Sequence, residues 1–160
     1  MGKLSKISSI ELLQQEALLE MSSFGVTEAL EVGDFANVLG TKRNLPVAIE
    51  VRIGDWVIYH ASLPGSSPQN QEWLDRKARV VSLKHHSTLY ERVSSEERGV
   101  DWYKENNLTE ELYAIHGGGL PIIVKNYGLA GTLLVSGLPQ LDDHKFGVDV
   151  LRLYIDQGGK

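Results

Sequence analysis

Val47-Ala48-Ile49-Glu50-Val51-Arg52-Ile53-Gly54-Asp55-Trp56-Val57-Ile58-Tyr59-His60-Ala61 is the stretch that decides the fold. Val47, Ile49, Val51 and Ile53 alternate with Ala48, Glu50 and Arg52, so a strand places all four branched side chains on one face. Gly54-Asp55 suits a two-residue turn, and Trp56 to Ala61 reads as the returning strand. Strands joined in this way are antiparallel.

Further along the chain, Leu63 to Ser67 is a loop, and Ser67-Pro68 reads as an N-cap followed by proline at the first helical position. The helix runs to about Leu83, with Trp73, Lys77 and Val80 on one side and Leu74, Ala78 and Val81 beside them. From Lys84 to Glu111 the pattern weakens: a short helix fits Ser87 to Val93, and the charged run Ser94 to Gly99 reads as a solvated turn. Leu120 to Lys125 and Leu129 to Ser136 form a second hairpin about Asn126-Tyr127-Gly128. Gly137-Leu138-Pro139 then opens a C-terminal helix, with Asp142 and Asp143 at the positive end of its dipole and Phe146, Val150, Leu153 and Tyr154 on one face.

Towards the N-terminus, Ala29, Val32, Phe35, Ala36 and Leu39 mark a helix from Thr27 or Glu28 to about Thr41, stopped by Asn44 and Pro46. A leading helix begins at Ser8 or Ser9, with Ile10, Leu13, Ala17 and Met21 near helical spacing, and is suited to pack on the domain or on a neighbouring subunit. The expectation is one α/β (α+β) domain over residues 1–160, with 1–23 as a leading helix and an antiparallel sheet flanked by helices.

The 160 residues, 42% hydrophobic, suffice for an ordinary core without a covalent staple. The sequence has no cysteine, which excludes disulfides and sulfur-ligated metals and fits a reducing compartment. Met1 to Met21 mixes lysines and glutamates among its leucines, unlike a signal peptide, and no stretch matches the roughly 18 apolar residues of a membrane span. The expected location is the cytoplasm. A net charge of -5 disfavours nucleic acid as a partner, because phosphate binding needs clustered cations.

His116-Gly117-Gly118-Gly119-Leu120-Pro121 is the least ordinary local sequence. Adjacent glycines permit positive φ and close backbone approach, so the run marks a ligand site whose amides suit an anion or a planar molecule. It also matches the HGGG segment of some esterases, but no G-x-S-x-G elbow accompanies it: Ser136 sits in Leu134-Val135-Ser136-Gly137-Leu138. Trp73 with Arg76 and Lys77 one turn away can hold a planar or carboxylate-bearing ligand, or equally be a packed ring with snorkelling cations. His116 and His144 are the histidines best placed to titrate or ligate. No metal-binding motif is present, and His85-His86 cannot share a helix face, so no metal site is expected.

Gly65-Ser66-Ser67, Asn70, Trp73, Arg76-Lys77 and Val80-Val81, then His116-Gly117-Gly118-Gly119 and Pro121-Ile122, then Gly131-Thr132, Val135 to Gln140 and Asp143-His144 together resemble the haem-degrading-domain family. The resemblance covers most of Thr27 to Ile155, with Leu120 standing where an aromatic often follows the glycine run. It implies a profilin-like fold, a homo-oligomer and a small ligand, with haem as the candidate cofactor. The site residues expected on these grounds are His116, Gly117, Gly118, Gly119, Trp73, Arg76, Lys77 and His144. The alternative is a non-catalytic oligomeric adaptor or scaffold that binds other proteins. A third reading, an enzyme acting on a small carboxylate, would use the glycine amides as anion donors and His116 or His144 as the acid–base group.

Overall fold

The computed structural model describes residues 7–159. Its elements are α1 (Ser9–Leu18), α2 (Val26–Lys42), β1 (Ala48–Ile53), β2 (Trp56–Ser62), α3 (Gln69–Lys84), α4 (Thr88–Arg98), α5 (Trp102–Asn106), β3 (Gly119–Val124), β4 (Gly128–Ser136) and α6 (Gln140–Tyr154). A π-helical turn, Ile155–Gly159, extends α6.

The strands form one antiparallel sheet in the order β2-β1-β4-β3. Both hairpins lie where the sequence places them: Ile53 pairs with Trp56 across Gly54-Asp55, and Val124 with Gly128 across the second turn. Gly54 takes the positive φ, 59°, that a tight hairpin turn requires. The two hairpins join in the middle, where Ala48 to Arg52 of β1 pair with Ser136 to Thr132 of β4.

Central β1 is buried on both faces. Val47, Ile49 and Val51 point into the main core against Val32 and Ala36 of α2 and Phe146 and Val150 of α6. Ala48 and Leu134 point the other way and pack on Leu74 and Ala78 of α3. The opposite face of the strand therefore meets a helix, and its polar members are buried as partners. Arg52 Nε donates to Glu50 Oε1 at 2.8 Å, Arg52 Nη2 donates to Asp75 Oδ1 at 2.6 Å, and Gln71 Nε2 donates to Glu50 Oε2 at 3.0 Å.

Three sequence expectations are corrected. The charged run after Val93 is helical to Arg98, because nothing breaks the turn until Gly99 caps it at φ 68°. Arg92 and Glu96 lie at 3.3 Å one turn apart, and Arg98 reaches Glu105 of α5 at 2.7 Å. Trp102 begins that short helix; it is buried, and its indole N–H donates to Glu91 at 2.8 Å. At the start of α3 the Ser67 side chain makes no cap; the Ser67 amide instead donates to Asn70 Oδ1 at 2.8 Å. In α1, Ser8 forms the capping box with Glu11, but the helix stops at Leu18, and Met21 bridges the edge strand β3 at Val124. The face that α1 buries carries Leu12, packed on Leu89 and Val93 of α4. Ile10, Leu13 and Leu18 face outwards at 66%, 38% and 72% exposure.

Among the described residues no helix is long and apolar enough to cross a membrane.

Candidate functional site

The first half of α3, the glycine run before β3 and the start of α6 converge at the end of β4. Trp73 and Lys77 stand one turn apart on α3, so both project to this side. His116 arrives from the loop and meets the Trp73 ring edge-on at 4.7 Å between centroids. Arg76 lies over the Trp73 ring at 4.4 Å, and its guanidinium donates to the Glu110 carbonyl. A cleft of about 290 Å³ opens between these elements, lined by Asn70, Trp73, Lys77, His116, Ser136, Gly137, Leu138, Gln140 and Asp143.

At the cleft lies a buried ion pair. The Lys77 side chain is only 2% exposed, and its Nζ donates to the Val135 carbonyl at 2.8 Å and to Asp143 Oδ2 at 3.2 Å. Asp143 Oδ1 accepts the Leu138 amide at 3.0 Å, so the carboxylate also holds the entry to α6. Burial lowers the Lys77 ammonium, against the attraction of Asp143, and raises Asp143 to about 6, against Lys77. Burial, with Arg92, Lys77 and Arg76 nearby, lowers His116 to about 4, so its imidazole is neutral at pH 7, and its buried Nδ1 has no hydrogen-bond partner.

The glycine run makes this packing possible. Gly118 has φ 126°, and a Cβ there would stand 2.6 Å from Lys77 Nζ and 2.4 Å from the Val135 carbonyl oxygen. The Gly117 amide donates to Gln140 Oε1 at 3.3 Å and the Gly119 amide to Thr88 Oγ1 at 3.0 Å. The three glycines are buried against α3, α4 and α6, while the cleft is walled by their neighbours. Of the residues expected from sequence, the structure thus brings His116, Trp73 and Lys77 to the cleft. Arg76 sits behind Trp73. His144 is buried beside the run, with Nε2 at 2.7 Å from Gln15 Oε1 of α1 and an unpartnered Nδ1; burial lowers it to about 4.

Asn70, Ser136, Gln140 and Asp143 complete the cleft, and Asn70 Nδ2 donates to Ser136 Oγ at 3.1 Å. Their signal was present in sequence, since all four lie within the blocks that carry the family resemblance.

A larger depression of about 650 Å³ lies over the β1 to β2 hairpin, lined by Arg52, Asp55, Asp75, Arg79 and Tyr113 among others. Three of its four charged side chains are engaged within the protein: Arg52 and Asp75 with each other, Arg52 also with Glu50, and Arg79 with the Leu112 carbonyl at 2.9 Å. The smaller cleft carries the unpartnered imidazole atom and the perturbed pair, which marks it as the better candidate.

Residues 24–152 match the family model described as Haem degrading protein HbpS-like. The chain belongs to that family. A UPF0303 protein of Streptomyces avermitilis is 37% identical over 145 residues, covering 91% of this chain and 89% of that protein. A UPF0303 protein of Azotobacter vinelandii is 35% identical, covering 86% and 82%. Among solved structures, that of the Ybr137w protein superposes with a TM-score of 0.85 at 23% identity over 93% of this chain and 88% of that one. HbpS superposes at 0.64 with 17% identity over 84% and 92%. The complex of PduOC with haem superposes at 0.67 with 14% identity over 81% and 94%. At these identities the superpositions establish the fold of the HbpS-like chain, a helix-flanked antiparallel sheet of profilin-like type.

Proposed function

We propose that this HbpS-like protein binds a small polar molecule in the cleft between Trp73, His116 and the Lys77–Asp143 pair. One observation carries the reading: a neutral imidazole, an aromatic ring and a desolvated ion pair converge on a single cleft. His116 lines the cleft, and its buried Nδ1 has no hydrogen-bond partner within the protein, a state that costs stability.

The family model and the haem complex of one neighbour make haem the first ligand to weigh. The cleft of a single chain does not suit it. At about 290 Å³ it has room for about ten waters' share of liquid, far below a tetrapyrrole. Six of its nine lining residues carry polar side chains, with Trp73 and Leu138 its main apolar walls, whereas a macrocycle needs broad apolar ones.

The reading is tested by following backbone amide resonances during titration with imidazole, acetate and 1,2-propanediol. Shifts confined to residues 70–77, 116–119 and 136–143, and weakened at least tenfold in affinity by His116→Ala, support it. Shifts centred elsewhere, or unchanged by His116→Ala, contradict it.

The adaptor reading has its own observation. Ile10, Leu13 and Leu18 form an exposed apolar stripe on α1, whose other face is already docked on α4. Such a stripe suits a helix from another subunit or protein. Leu13→Ser with Leu18→Ser would then reduce assembly, measured by sedimentation, with little change in the fold.

A further inference from the structure

We infer that Lys77 is an imine-forming amine, which captures a small hydroxylated aldehyde or ketone in the cleft, with Asp143 as its proton carrier. The inference rests on the cleft being a ligand site, as proposed above.

The geometry supplies each part. Lys77 lines the cleft, and two of the three N–H groups its ammonium would carry point to Val135 O and Asp143 Oδ2. Gly118 leaves its Cβ direction empty, which is what allows Nζ to occupy this place. The 3.2 Å contact to Asp143 gives the amine a built-in base, and burial pushes the two groups in converging directions, Lys77 down and Asp143 up. A proton passed from Nζ to Oδ2 leaves a neutral amine and a neutral carboxyl in a site where two unscreened charges are costly. A buried lysine tuned in this way is a suitable nucleophile towards a carbonyl carbon.

The step is balanced within the site. The Nζ lone pair attacks the carbonyl carbon, and the C=O π electrons move to oxygen, which takes up a proton lost from nitrogen. The protonated Asp143 then delivers its proton to the departing hydroxyl, which leaves as water while the nitrogen lone pair forms the C=N bond. The positively charged imine keeps the Asp143 carboxylate as counterion. No oxidant or reductant enters.

The lining selects the ligand class. Lys77 is the sole cation among the described lining residues and is matched by Asp143, which disfavours a carboxylate. Asn70, Ser136, Gln140 and neutral His116 offer uncharged donors and acceptors, which suit hydroxyl groups. The volume suits a small molecule.

The test incubates the full chain at pH 7 with hydroxyacetone and sodium cyanoborohydride, which fixes an imine as a stable secondary amine, and then maps the adduct by peptide mass analysis. Lys77 is expected to react about tenfold or more ahead of solvent-exposed lysines, whose amines are below about 0.1% neutral at this pH. Asp143→Asn, which keeps the shape but cannot carry the proton, is expected to slow the reaction at Lys77 about tenfold. If that variant does not fold, the wild-type adduct map decides. Adducts spread over exposed lysines with Lys77 unmodified overturn the inference. In that event, saturable and His116-dependent shifts with 1,2-propanediol, which has no carbonyl, would leave the ligand-binding reading standing. Their absence would remove both.

Discussion

Two charge clusters include a residue of α3, and they differ in how they meet water. The Lys77–Asp143 pair is dry, with both side chains at 3% exposure or less, and each group is shifted towards its neutral form by burial. In the Glu50, Arg52 and Asp75 network the Asp75 side chain is 40% exposed, and His60, which contacts Glu50 at 2.9 Å, is 38% exposed. There burial pulls the Arg52 guanidinium down, but the hydrogen bonds it donates to Asp75 and Glu50, with their charges, outweigh it and hold the group above its ordinary value. The network fixes charge in place to join β1, β2 and α3. In the dry pair burial favours the neutral forms, and the pair lines a cleft.

The comparison is broken most severely by removing one partner of the dry pair. Asp143→Ala leaves the Lys77 ammonium without its counterion and Leu138 N–H without its acceptor, and should cost about 3–5 kcal/mol in urea unfolding. A loss below about 1 kcal/mol would mean that water reaches the pair. A smaller loss, about 1–2 kcal/mol, is expected for Glu50→Ala, because Arg52 retains Asp75 at 2.6 Å. Equal costs for the two variants would erase the distinction.

Acid separates the dry region in a second way. Folding holds buried His144 at about 4, against an ordinary value of 6.5, so the unfolded chain takes up this proton first. Its contribution is complete above pH 6.5 and is lost as pH falls towards 4, by about 2–3 kcal/mol. Asp143 acts in the opposite sense: raised from 3.8 to about 6, it favours the native state as pH falls through 6. Denaturant unfolding across pH 7 to 4 should therefore show a decline that His144→Gln flattens. An unchanged slope in that variant would show that His144 reaches solvent.

Much of the fold was legible because it depends on local patterns. Strict alternation from Val47 to Ile53 and a glycine turn specify the hairpin with few alternatives, and the apolar period of α2 and α6 specifies their inward faces. The stretch around α4 and α5 was not, because its helices are stabilised by pairings such as Arg98 with Glu105 and Trp102 with Glu91 that hydropathy does not record. Leu12 and Leu13 are adjacent leucines, and only the position of α4 decides which is covered.

The candidate site stood out in the sequence by its oddity, while its depth did not. Three glycines after His116 announce close approach, but a sequence does not say what approaches, and here it is the lysine of α3 and the backbone of α6. Lys77 reads as a snorkelling cation because lysine is rarely buried, and its partner Asp143 reads as a helix-dipole residue 66 positions away. That pairing exists only once β4 and α6 are in place.

The most direct test of the account is a haemin titration of the purified protein, followed in the Soret region and repeated with His116→Ala. A cleft built for a small polar ligand predicts weak, non-saturating changes that the two proteins share. A saturable shift at stoichiometric haem, lost in His116→Ala, would contradict it and assign this cleft to haem.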